Sequence, residues 1–224
     1  MQAKWYPSPN FGARRNGARP SLIVLHYTGM RDSAAALDRL CEQSAEVSAH
    51  YVISPSGEVW QLVKEADRAW HAGAGSWCGI QDINSHSFGV ELVNTGAQPF
   101  PEPQMRRAEA LLADLMGRWH IARHQVIAHS DLAPERKEDP GPRFDWRRLD
   151  LLSLGFCPDG MGDDVPLGAS LDAIGYPEAD PEKRLQAFRY RFRPLGYGPE
   201  SAADRRRADA IAAAFRAARS NQPG

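Results

Sequence analysis

A chain of 224 residues is long enough for one domain with a full hydrophobic core and a small appendage. Its 42% hydrophobic and 25% charged residues make an ordinary globular composition, and no stretch nears the roughly 18 to 20 apolar residues of a membrane-spanning helix. The 27 basic and 28 acidic side chains nearly cancel, which removes the electrostatic case for a nucleic-acid or anionic-membrane partner.

The first twenty residues, "MQAKWYPSPNFGARRNGARP", lack the apolar core of a signal peptide, so a cytoplasmic protein is expected. "SLIVLHYT" (21–28) is an uninterrupted apolar, β-branched run and predicts a strand buried on both faces. Ser33 is placed to cap a helix carrying Ala36, Leu37, Leu40 and Cys41 on one side. "AHYVISPSGEVWQLV" predicts a hairpin around "SPSG". The glycine-rich stretch 73–86 is expected to form a mobile rim. In "SFGVELVN" the alternation sets Phe88, Val90 and Leu92 on one face, with Gly89, Glu91 and Val93 on the other. From Pro103 to about His120, the spacing of Met105, Ala108, Leu112, Leu115 and Trp119 predicts an amphipathic helix. "QVIAHS" is a short strand. It runs into "VIAHSDLAPERKEDPGPRFDW" (126–146), a loop stiffened by Pro134, Pro140 and Pro142.

Strands and helices interleave from about 20 to 150, which predicts an α/β (α+β) fold with a central mixed sheet flanked by helices. Strand signals then vanish. Asp180-Pro181 opens a helix with Leu185, Phe188 and Phe192 on one face and Pro194 beyond its end. Ser201 opens another, expected to bury Ala203, Ala210, Ile211, Ala214, Phe215 and Ala218. The expected division is residues 1–160 for the larger domain and 161–224 for a small helical one.

The three cysteines, Cys41, Cys78 and Cys157, form neither a disulfide framework nor a CxxC signature and are read as reduced thiols. Of seven histidines, His120 and His124 flank a helix end and His86 sits in a polar loop, all with ordinary explanations. His26 and His129 differ, because each closes an apolar strand where a buried imidazole needs partners. With Asp139 on the stiff loop they make a His/His/carboxylate set, the kind that holds a catalytic zinc ion with a fourth position left for water. Many folds produce that spacing by chance.

The ordered segments "LIVLHYT", "VSAHYVISPSGEVWQLV", "AWHAG", "INSHSFGVELVN" and "VIAHSDLAPERKEDPGPRFDW" resemble the zinc-dependent N-acetylmuramoyl-L-alanine amidases of the AmpD and AmiD type, which share a fold with peptidoglycan recognition proteins. The resemblance spans roughly residues 20–150. It implies one zinc ion held by His26, His129 and Asp139, Glu91 as the base that takes a proton from water, and Lys137 as the cation facing the developing oxyanion. It also implies that His50, Trp70 and His71 shape the substrate cleft, beside the plainer reading of His50 as a hydrogen-bonded core residue and Trp70 as packing. The implied reaction is hydrolysis of the amide between the lactyl group of N-acetylmuramic acid and L-alanine. The partners would be muropeptides or cell-wall glycan, in cell-wall recycling. The C-terminal helices resemble a small peptidoglycan-binding domain, with a helical cap over the core as the other reading. A non-catalytic peptidoglycan recognition module is the alternative function, against which the complete ligand-plus-base set speaks. A zinc peptidase fits less well, because no HExxH occurs.

Overall fold

The structure, a computed structural model, describes residues 3–220. Its strands are β1 (Lys4–Trp5), β2 (Phe11–Ala13), β3 (Leu22–Tyr27), β4 (Tyr51–Ile53), β5 (Val59–Gln61), β6 (Asp67–Ala69), β7 (Ser87–Leu92) and β8 (Val126–Ala128). Six form one mixed sheet in the order β1-β5-β4-β7-β3-β8, while β2 and β6 pair antiparallel on their own. β3 lies parallel to both β7 and β8, β7 parallel to β4, and β4 closes the expected hairpin with β5. Leu22 to Leu25 are all buried, as a central parallel strand covered on both faces requires.

The helices are α1 (Ser33–Cys41), α2 (Ile83–His86), α3 (Glu102–Trp119), α4 (His129–Leu132), α5 (Trp146–Leu151), α6 (Leu167–Ile174), α7 (Pro181–Phe192) and α8 (Ala202–Ser220). They flank the sheet as the fold class predicts. On one side Leu37 and Leu40 of α1 meet Val52, Leu62 and Val93 in a small core. On the other, Met105, Leu112 and Leu115 of α3 join Phe88, Val90 and Leu92 of β7 in the large one. The predicted alternation of β7 thus separates the two cores. α1 is capped by Asp32, not Ser33: its carboxylate accepts from the Ala34 and Ala35 amides, and Ser33 becomes the first helical residue.

The C-terminal helices form without a separate core. Leu171, Ile174, Phe188, Phe192, Ile211 and Phe215 belong to the same buried cluster as the sheet, and Trp77 packs edge-on against Tyr176. α7 starts at Pro181 behind the Asp180 cap, as predicted. On α8 the buried line is Asp204, Ala208, Ile211, Ala212 and Phe215, so Ala203, Ala210, Ala214 and Ala218 lie at its half-buried edges. Asp204 enters that line because Arg189, Arg193 and Ser201 all donate to its carboxylate.

Candidate metal centre

Three parallel strands end at one place, the carboxyl edge of the sheet where open α/β sheets build their sites. His26 of β3 is the register partner of Glu91 of β7, so both project from the same face. Leu25 pairs with Ala128, which brings His129, the first residue of α4, alongside His26. Asp139 arrives from the proline-stiffened loop, which is tied back by the Ser130 amide donating to the Asp139 carbonyl. His26 Nδ1 and His129 Nδ1 lie 2.9 Å apart, and Asp139 Oδ2 lies 2.9 and 3.0 Å from them. The three residues are 1%, 2% and 7% exposed.

Burial, seconded by the neighbouring His129, pushes the His26 imidazole down to about 4, so it stays neutral at physiological pH. His129 Nε2 faces the Ala72 carbonyl at 2.9 Å. A carbonyl only accepts, so in the neutral ring that nitrogen carries the hydrogen and Nδ1 presents a lone pair. A bare imidazole nitrogen 3.0 Å from a carboxylate oxygen, both buried, is a donor set that fits a divalent cation and has the ligand types zinc prefers.

Glu91 is half-buried overall, yet its Oε2 is closed to solvent and has no hydrogen-bond partner. Burial and then the Asp139 charge raise its carboxyl to about 8, with Lys137 pulling the other way. Lys137 follows the turn at 134–136 in irregular backbone, and its side chain lines the same cleft as His26, Glu91 and Asp139. That cleft holds about 280 Å³. A buried carboxyl oxygen and a lysine therefore border the cleft into which the three side chains converge.

The other cleft residues expected from sequence part company. Trp70 is half-buried and forms part of the wall. His50 is 0% exposed and lies beneath the site: the Gly89 amide donates to its Nδ1, and its Nε2 meets the Asp67 carbonyl and Arg14. Its place is that of the hydrogen-bonded core histidine. His71 borders the cleft, but both ring nitrogens are engaged within the protein, by His26 and by Ser87. Stretch 73–86 does not line this cleft. Its Trp77 is 2% exposed and locked in the core. The opposite wall comes from α1 and its flanks instead, through Met30, Arg39 and Val47. Nothing in their residue types marks them, since Arg39 on an amphipathic helix reads as a solvated side chain.

Residues 16–142 match the N-acetylmuramoyl-L-alanine amidase family. The chain is 33% identical to the N-acetylmuramoyl-L-alanine amidase AmiD of Escherichia coli (strain K12), covering 83% of this chain and 79% of that protein. It is 34% identical to the 1,6-anhydro-N-acetylmuramyl-L-alanine amidase AmpD of Enterobacter cloacae, over 68% of this chain and 90% of that protein. Its fold superimposes on the complex of E. coli AmiD with anhydro-N-acetylmuramic acid-L-Ala-D-γ-Glu-L-Lys with a TM-score of 0.77, at 32% identity and 91% coverage of both chains.

Proposed function

This chain belongs to the N-acetylmuramoyl-L-alanine amidase family, of the AmpD and AmiD type, and from that premise we propose that it is a zinc-dependent hydrolase. It cleaves the amide joining the lactyl group of N-acetylmuramic acid to L-alanine in muropeptides released from the cell wall. The observation that carries this reading is the meeting of His26, His129 and Asp139 beside a buried carboxyl oxygen without a partner. Anhydro-muropeptides are the substrate class we favour, because the structurally similar AmiD complex holds one. Cell-wall recycling is the setting this implies, and the cytoplasm the place we propose for it. Among the described residues, no helix is long and apolar enough to cross a membrane.

When bound by His26, His129 and Asp139, zinc supplies Lewis acidity that activates water and polarises the scissile carbonyl. Glu91, as the carboxylate, accepts the proton of the attacking water on Oε2 and returns it to the departing L-alanine nitrogen. A bound cation so close favours the ionised form of Glu91 that this role needs. The Lys137 ammonium faces the negative charge that grows on the former carbonyl oxygen. Trp70 excludes water along one wall.

A second cavity of about 470 Å³ shares Tyr27, Thr28, Lys137 and Asp139 with the site and is closed on its far side by Lys183, Gln186 and Tyr190 of α7. This supports residues 161–224 as a unit that helps to bind peptidoglycan fragments while capping the core. The test of the function is mass spectrometry of products from purified anhydro-muropeptide. Release of free stem peptide, abolished by a chelator and restored by zinc, is the expected result. Intact muropeptide after prolonged incubation with zinc-loaded protein would refute the reading, and cleavage of insoluble sacculi alone would move its substrate to polymeric wall.

A further inference from the structure

The nitrogen of His26 that faces away from the centre, Nε2, lies 3.0 Å from His71 Nδ1. His71 Nε2 lies 3.1 Å from Ser87 Oγ, and Ser87 Oγ lies 2.6 Å from the Ile83 carbonyl. Two oxygens at 2.6 Å need a hydrogen between them, and only the hydroxyl has one. Ser87 therefore donates to Ile83 and must accept from His71, whose hydrogen is then on Nε2. That leaves His71 Nδ1 as an acceptor, so His26 donates from Nε2. We infer that His71 and Ser87 are positioning residues that lock His26 in the Nε2–H form and turn its Nδ1 lone pair toward the metal.

Two further features serve the same end. A Cβ at Gly89 would lie 2.4 Å from His71 Cγ, so only glycine lets the His71 ring lie over β7 and reach both partners. The next residue, Ala72, accepts from His129 Nε2 through its carbonyl. One dipeptide, His71-Ala72, thus orients both imidazoles from behind, and its two amides donate to the single side-chain oxygen Asn84 Oδ1 at 3.0 and 2.8 Å. With both Nε2 atoms committed as donors, the two Nδ1 atoms face each other at 2.9 Å with no hydrogen between them. A cation among them and Asp139 relieves that repulsion. Outer partners that fix a histidine ligand in this way commonly contribute 10- to 100-fold to metal affinity.

The inference rests on the zinc-centre reading, and the experiment separates the two. Two-bond ¹H–¹⁵N spectra of the full chain report the tautomer of His26 and His71, and competition with a chelator reports zinc affinity. Both rings are expected as Nε2–H before and after zinc is added. His71→Leu should weaken zinc binding about 10- to 100-fold, whereas His71→Asn, whose Oδ1 can stand where Nδ1 stood, should recover most of it. Ser87→Ala should leave His71 in mixed tautomers and weaken zinc binding by a smaller factor. It is the deciding variant if His71→Leu does not fold. An Nδ1–H form of His26 in the wild type, or zinc affinity within twofold of wild type in folded His71→Leu, or in Ser87→Ala where His71→Leu does not fold, would overturn the inference. Wild-type protein that takes up no zinc would instead sink the zinc-centre reading.

Discussion

Replacing the Glu91 carboxylate by an amide of the same shape removes its affinity for a proton but keeps its packing. Glu91→Gln is therefore expected to lower kcat by about 10²- to 10⁴-fold with zinc content unchanged, which steady-state kinetics beside metal analysis will check. Gly89→Ala acts on the same site from behind. The added methyl meets His71 Cγ, and such overpacking costs about 1–3 kcal/mol. Thermal melts with and without zinc should show both a lower transition and a smaller stabilisation by the metal. At this scale the sequence was partly legible. His26 and His129 stand out because a histidine closing an apolar run needs a reason. The resemblance sets His50 and His71 at the cleft and leaves a core role open for His50, because a sequence names residue types and not what their nitrogens touch; His71 borders the cleft and His50 is buried. Ala72, Asn84 and Ser87 carry no signal at all, since they act through a backbone carbonyl, a side-chain amide and a hydroxyl set against groups distant in the chain.

The long elements follow from periodicity, and the short ones do not. β3, β7 and α3 each bury a stripe long enough to read, and the short β4, β5 and β8 show through the "SPSG" turn and the apolar "VIA", whereas β1, β2 and β6 are as short and carry neither signal. Contacts between elements were equally hidden. Glu65, in the turn after the hairpin, takes two hydrogen bonds from Arg118, one from Trp119 and one from Tyr51, and so pins α3 to β4. Burial alone would raise its carboxyl, but those donors together depress it to about 2. A carboxyl whose folded value is depressed adds stability above its unfolded value, near 4.3, and loses it as pH falls toward the folded one. Urea unfolding should thus show wild type more stable than Glu65→Gln at pH 7, with the difference shrinking between about pH 5 and pH 2. A pH-independent difference would show that the ion pair contributes nothing beyond its shape.

Across the whole molecule the expected boundary near residue 160 separates two textures of sequence, but the core runs through it. Arg191 of α7 is the reason the two parts are joined so tightly. Its guanidinium is fully buried and donates to Asp131 at 2.5 Å and to the carbonyls of Val126 and Phe156, and it lies over the Trp146 ring. Asp131 also accepts from the Ala128 amide and from Tyr176 at 2.8 Å, and it stands two residues after His129. The segment bearing a proposed zinc ligand is thereby fastened from below by the C-terminal helices. "LQAFRYRFRP" does not reveal this, because arginines on an amphipathic helix read as solvent-facing. Removing one member of a buried pair leaves the other charge unpaired, so Arg191→Met should cost about 3–5 kcal/mol in urea unfolding. Adding Asp131→Asn removes the orphaned charge, while its one side-chain oxygen can still accept from the Ala128 amide and its Nδ2 can donate to the Tyr176 hydroxyl oxygen. The double variant should then be more stable than Arg191→Met alone, a non-additivity that a charge pair requires and independent packing losses would not produce. Zinc affinity should follow the same order, since His129 moves only as far as the segment beneath it is released.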